Sequence, residues 1–149
     1  MKKVLICLGF LTLAGCATQT EWVTFPSGQG GRGVTLQVWL EKHPMLEGQE
    51  VRIDPISASD SSSSHIVQIR KQEILHTHEQ HDLVVILLRG NGQLILGDKK
   101  LSVKPGAVVS IPKGIPHAFV NQSNQPAAAF VVFMPAFDGI DTIPVKEKK

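Results

Sequence analysis

Three of the chain's six histidines fall within the stretch HTHEQHD, residues 76–82, directly before the apolar run LVVILL. In an extended strand, residues two apart share a face, so His76 and His78 project together while Thr77 turns away. Such a pair forms ligand arms for a borderline divalent ion, which imidazole nitrogens bind at roughly 2.0 to 2.1 Å. Asp82, four residues after His78, supplies an oxygen if a tight turn brings the chain back as the LVVILL strand. His81 is the alternative, as a further nitrogen, and the choice depends on where a bulge falls.

The elements that must position these groups read as short strands. From His65 onward the apolar runs HIVQI, LVVILL, QLILG, AVVSIP, HAFV and AAFVVFMP follow one another, separated by RGNG, GDKK, KPG, PKG and NQSNQP. Each separator carries the Gly, Pro, Asn or Asp chemistry of a turn. Many short strands with no helical pattern between them predict an antiparallel sandwich, barrel or jelly roll. Upstream, EVRIDPIS alternates over residues 50–57 and runs into the polar loop SASDSSSS. Earlier still, Leu36, Trp39 and Leu40 recur at helical spacing, with Thr35 as N-cap and Pro44 as stop, which predicts one short helix. His43 at its end and His65 at a strand start read as surface residues. RKQE, residues 70–73, reads as a solvated turn, and Lys99 and Lys100 as exposed charge at a hairpin tip.

A chain of 149 residues with 42% hydrophobic content has room for one domain. No apolar stretch reaches the 18 or so residues of a spanning helix. The N-terminus, MKKVLICLGFLTLAGC, has export grammar: two lysines, an apolar segment, then small residues before a cysteine. It resembles a bacterial lipoprotein signal ending in Leu13, Ala14, Gly15 and Cys16. The resemblance implies cleavage after residue 15, acylation of Cys16 and a membrane anchor that does not cross the bilayer. Residues 16–33, rich in turn formers, read as a tether, and residues 34–149 as the domain. Ala17 after the cysteine favours the outer membrane in a cell that has one, with the domain on the periplasmic face.

Cys7 lies inside the signal and Cys16 at its end, so the mature chain has no disulfide pair. Loss of Lys2 and Lys3 reduces the 15 basic residues to 13, against 13 acidic ones. With neither net positive charge nor a basic stripe interleaved with aromatics, nucleic acid is excluded as a partner.

A distant segment adds to the histidine cluster. GAVVSIPKGIPHAFVN, residues 106–121, contains Gly106, Pro112, Gly114, His117 and Asn121 at the spacing G(X)5PXG(X)2H(X)3N. With His76, His78, Asp82 and Gly90 upstream, it resembles the cupin family over about residues 65 to 135. The second motif matches in full; the first carries aspartate where glutamate is usual, and counting back seven residues from Gly90 lands on Leu83. The resemblance implies an all-β, double-stranded β-helix (jelly-roll) barrel. It also implies a divalent ion (Fe, Mn, Ni or Zn) held by His76, His78, Asp82 and His117, with Asn121 bracing a turn and a possible homodimer.

If Asp82 faces the ion, alternation places Val84, Ile86 and Leu88 on the same inner wall, and Phe119 beside His117. Without a bulge, the strand leading into His76 would turn Gln68, Arg70 and Gln72 inward by the same alternation, the alternative being the solvated RKQE turn. The expected activity is that of a small-molecule metalloenzyme of dioxygenase or isomerase type. The alternative is a binding module that captures a small molecule or a metal without turnover.

Overall fold

The computed structural model describes residues 22–23 and 33–146. The signal at residues 1–15, Cys16 and most of the tether lie outside the described residues. Within the stretch read as a tether, Trp22–Val23 forms β1 and pairs antiparallel with β2, Val34–Thr35.

Helix α1, Leu36–Lys42, follows at once. Thr35 caps it as the sequence predicts, its hydroxyl accepting the N–H of Val38 at 3.3 Å. Its last turn closes on His43, whose ring stacks on Trp39 and whose Nδ1 donates to the Trp39 carbonyl. His43 is therefore half-buried rather than solvated.

Ten strands complete the fold: β3 (Val51–Ala58), β4 (Ser63–Ile69), β5 (His76–Thr77), β6 (Asp82–Arg89), β7 (Gly92–Leu96), β8 (Lys99–Val103), β9 (Val108–Ile111), β10 (His117–Asn121), β11 (Ala127–Met134) and β12 (Ile143–Pro144). They form two five-stranded antiparallel sheets, ordered β12-β5-β10-β7-β8 and β3-β4-β11-β6-β9. Apart from the hairpins β3–β4 and β7–β8, consecutive strands alternate between the two sheets, as in a double-stranded β-helix. Strand β8, KKLSV, is one that the apolar runs do not announce, because most of its residues are exposed.

Two apolar clusters hold the sheets. The barrel interior contains Val67, Ile69, Leu83, Leu87, Ile111, Phe119, Ala129, Val131 and Phe133. Outside it, Leu36 and Leu40 of α1 cover Ile66 and Ala128. Strand β4 is consequently buried on both faces, which removes the polar alternation expected of a half-exposed strand. Among the described residues, no helix is long and apolar enough to cross a membrane.

Two turns of the second motif bind the sheets together. Gly114, at φ +76, adopts the left-handed backbone that the PKG turn needs, and its N–H donates to the His78 carbonyl at 2.7 Å. Gly106, at φ +91, donates in the same way to Leu87. Asn121 braces the turn after β10 by donating to the carbonyls of Arg70 and Gln125 while its Oδ1 accepts the N–H of Ser123.

Candidate metal centre and cavity

Strand β5 carries His76, and His78 follows two residues later on the same face. Strand β10 pairs with β5 so that His117 stands opposite His76. Ring centroids lie 4.3 Å apart for His76 and His117, 5.0 Å for His76 and His78, and 5.3 Å for His78 and His117. One ligand atom from each residue falls within 4.8 Å of the others, and all three side chains are buried.

Each ring is oriented by a backbone carbonyl. Nδ1 of His76 donates to Ile74, Nδ1 of His117 to Ile115, and Nδ1 of His78 to Asp141. A proton fixed on Nδ1 leaves the lone pair on Nε2, the tautomer that a ligating histidine needs. Burial also disfavours the imidazolium. It lowers the pKa of His117 to about 4, against the Ile115 carbonyl and with help from His76 and His78. It lowers that of His78 as well, against the carbonyl of Asp141. His78 and His117 are thus kept neutral at neutral pH, as ligation requires.

Asp82 does not join them. It is exposed at the start of β6, where its Oδ1 accepts the N–H of Lys113 at 2.9 Å. The inner wall of β6 is made by Leu83, Val85 and Leu87, not by Val84, Ile86 and Leu88. A register break does occur in this strand: Ala128 pairs with Arg89 and Ala129 with Leu87, leaving Leu88 unpaired. It lies beyond the stretch that faces the histidines, so it does not rotate Asp82 inward. Leu83 takes the inward place instead.

His81 is buried, yet it is held away from the cavity wall. Its Nδ1 lies 2.6 Å from the Asp141 carboxylate, and the pair is almost wholly buried. That carboxylate also accepts the N–H groups of Glu79 and Gln80. Burial would raise the pKa of Asp141, but the Gln80 N–H, His81 and the Glu79 N–H outweigh it and hold the group at about 2. The segment around Asp141 runs into β12, which pairs with β5. The C-terminal segment thus straps the ligand loop from outside.

The histidines open onto a cavity of about 310 Å³. Its wall is overwhelmingly aliphatic and aromatic, with Val67, Ile69, Leu94, Phe119, Val131 and Phe133 among the lining residues. Phe119 lies there as alternation from His117 predicts. Gln68 and Arg70 do not: Gln68 donates to the His43 carbonyl, and Arg70 to the carbonyls of Gln49 and Leu46. Val67 and Ile69 hold the inward positions of β4, and Gln72 is exposed.

Two residues that read as surface lie inside. His65 is buried edge-on to Phe133 and Phe137, with Nε2 2.8 Å from the Ser63 hydroxyl. Glu73, in the RKQE stretch, lines the cavity, and its Oε2 accepts the Phe119 N–H at 2.9 Å. Burial raises its pKa, with His76 and the Phe119 N–H opposing.

The family model described as the cupin domain matches residues 65–133. An uncharacterized protein of Aquifex aeolicus is 32% identical over 98 residues, covering 66% of this chain and 80% of that one. The chain belongs to the cupin family. Among solved structures, this cupin is similar to KdgF from Halomonas sp., at 18% identity and TM-score 0.59 over 66% of this chain and 93% of that one. A double-stranded β-helix protein from Klebsiella pneumoniae is 15% identical with TM-score 0.60, over 73% and 95% of the two chains. The nucleoside dehydratase Pac13 of Streptomyces is 13% identical with TM-score 0.56, over 67% and 82%. At these identities the likeness is one of fold, and its breadth agrees with the all-β architecture read from the sequence.

Proposed function

We propose that this cupin binds one divalent ion through His76, His78 and His117 and acts on a small, mostly apolar molecule in the adjoining cavity, as a metalloenzyme of dioxygenase or isomerase type. The observation that carries the reading is the convergence of three buried imidazoles, each with Nδ1 tied to a backbone carbonyl, at the wall of an apolar cavity. Three nitrogens with open positions beside them suit Fe, Mn, Ni or Zn. A bound ion would supply Lewis acidity to a substrate oxygen without a protein carboxylate in its coordination sphere to offset its charge.

The chain's own residues do the rest. The carbonyls of Ile74, Ile115 and Asp141 hold the three rings in one tautomer. Phe119, Val131 and Phe133 exclude water and bind the apolar part of the substrate. The apolar lining also favours a second reading, in which the cavity retains its ligand without turnover; release of a changed product separates the two.

Acylation of Cys16 and attachment to the periplasmic face of the cell envelope complete the proposal, on the strength of the sequence MKKVLICLGFLTLAGC. Cys16→Ser should move the protein from the membrane to the soluble fraction, and an unchanged membrane fraction counts against the anchor.

Metal analysis of protein beginning after Cys16 tests the centre. Close to one equivalent of ion per chain is expected, and His76→Ala or His117→Ala should strip it. Protein that stays metal-free after exposure to each candidate ion refutes the reading.

A further inference from the structure

Glu73 is fixed against β10 twice over. Its N–H donates to the Phe119 carbonyl at 3.0 Å, and its Oε2 accepts the Phe119 N–H at 2.9 Å. The neighbouring bridge between Gln72 and Val120 holds the same stretch in register. Its other carboxyl oxygen has no hydrogen-bond partner among the described residues.

The surroundings make that oxygen consequential. Among the described residues lining the cavity, Glu73 is the one acid, no lysine or arginine is present, and Thr142 and the three histidines are the remaining polar groups. An acceptor in such a wall needs a donor from the ligand, and a ligand that brings only hydrocarbon leaves it unsatisfied. An ether of the same shape fares worse, since it sets acceptor against acceptor and brings no proton to answer it.

We propose that Glu73 determines the specificity of the cavity: it accepts a hydrogen bond from the hydroxyl of a compact, otherwise apolar ligand and disfavours ethers and hydrocarbons of the same shape. This rests on the reading of the cavity as a ligand site and adds the class of ligand. Glu73 acts here by holding the hydroxyl, and the substrate's apolar body packs on Val67, Val131 and Phe133.

Binding of p-ethylphenol, ethylbenzene and p-ethylanisole to the zinc-loaded protein, measured by calorimetry at neutral pH, tests the proposal. Wild type should bind p-ethylphenol at least about tenfold more tightly than either of the others, a difference of about 1.4 kcal/mol. Glu73→Gln, which keeps an acceptor for the Phe119 N–H, should reduce the preference for the phenol over the ether by about tenfold or more. A wild type that favours p-ethylanisole, a ratio unmoved by Glu73→Gln, or no binding of any of the three overturns it. The wild-type ranking needs no variant, so it decides even where Glu73→Gln does not fold. Metal content of the same samples separates the two readings: a protein that takes up no zinc yet ranks the probes as expected refutes the metal centre and leaves the role of Glu73 standing.

Discussion

The backbone carbonyl of Asp141 accepts the Nδ1–H of His78, across 63 residues of sequence. The carboxylate of the same residue gathers the N–H groups of Glu79 and Gln80 and the ring of His81. One residue near the C-terminus thus fixes both the tautomer of a ligand and the loop that follows it.

Asp141→Ala keeps the carbonyl but loses the carboxylate that positions it. The cost is expected to be about 2 to 4 kcal/mol of stability, because buried charge-assisted hydrogen bonds are lost and their donors stranded. Metal affinity should fall about 10- to 100-fold while the stoichiometry stays at one, as for loss of a residue that orients a ligand. Chemical denaturation and zinc titration with a competing chelator measure the two effects; unchanged affinity would detach the strap from the centre.

Asp82→Ala separates the three-histidine centre from a four-ligand one. Asp82 bonds the Lys113 N–H at an exposed site, so its removal should cost about 1 kcal/mol or less and leave metal content untouched. Loss of the ion in this variant would restore the carboxylate to the ligand set.

His65 gives the barrel a pH dependence of its own. Burial lowers its pKa, so the folded state prefers the neutral ring. That preference contributes fully above the unfolded value of about 6.5 and is lost as pH falls from there toward the lowered folded value. In metal-free protein, His65→Leu should therefore lose less melting temperature than wild type between about pH 7 and pH 5. Parallel curves for the two proteins would show that His65 is not the group responsible.

Much of this was legible because it depends on local chemistry. Turn residues at RGNG, KPG and PKG delimit strands wherever the backbone needs a left-handed or φ-fixed position, and Gly106 and Gly114 occupy such positions. The spacing of His76 and His78 needs only the two-residue period of a strand. His117 required the second motif, since β10 reaches β5 only through sheet pairing.

The inward face of β6 and β4 was not legible, for a different reason. Strand β4 is covered by α1 outside and fills the barrel inside, so polarity no longer marks the solvent face. Gln68 and Arg70 stay outward by bonding backbone carbonyls of the α1–β3 connection, and β6 alternates among aliphatic residues that suit either side. Glu73 carried no signal: an acid among Arg70, Lys71 and Gln72 looks solvated until the Phe119 backbone claims one of its oxygens.

X-ray absorption at the zinc edge of the loaded protein tests the centre most directly. The account predicts one zinc per chain with three imidazole nitrogens at about 2.0 to 2.1 Å, a shell preserved in Asp82→Ala and lost in His117→Ala. Zinc that does not bind, or binds in a shell without the multiple-scattering signature of imidazole, contradicts it.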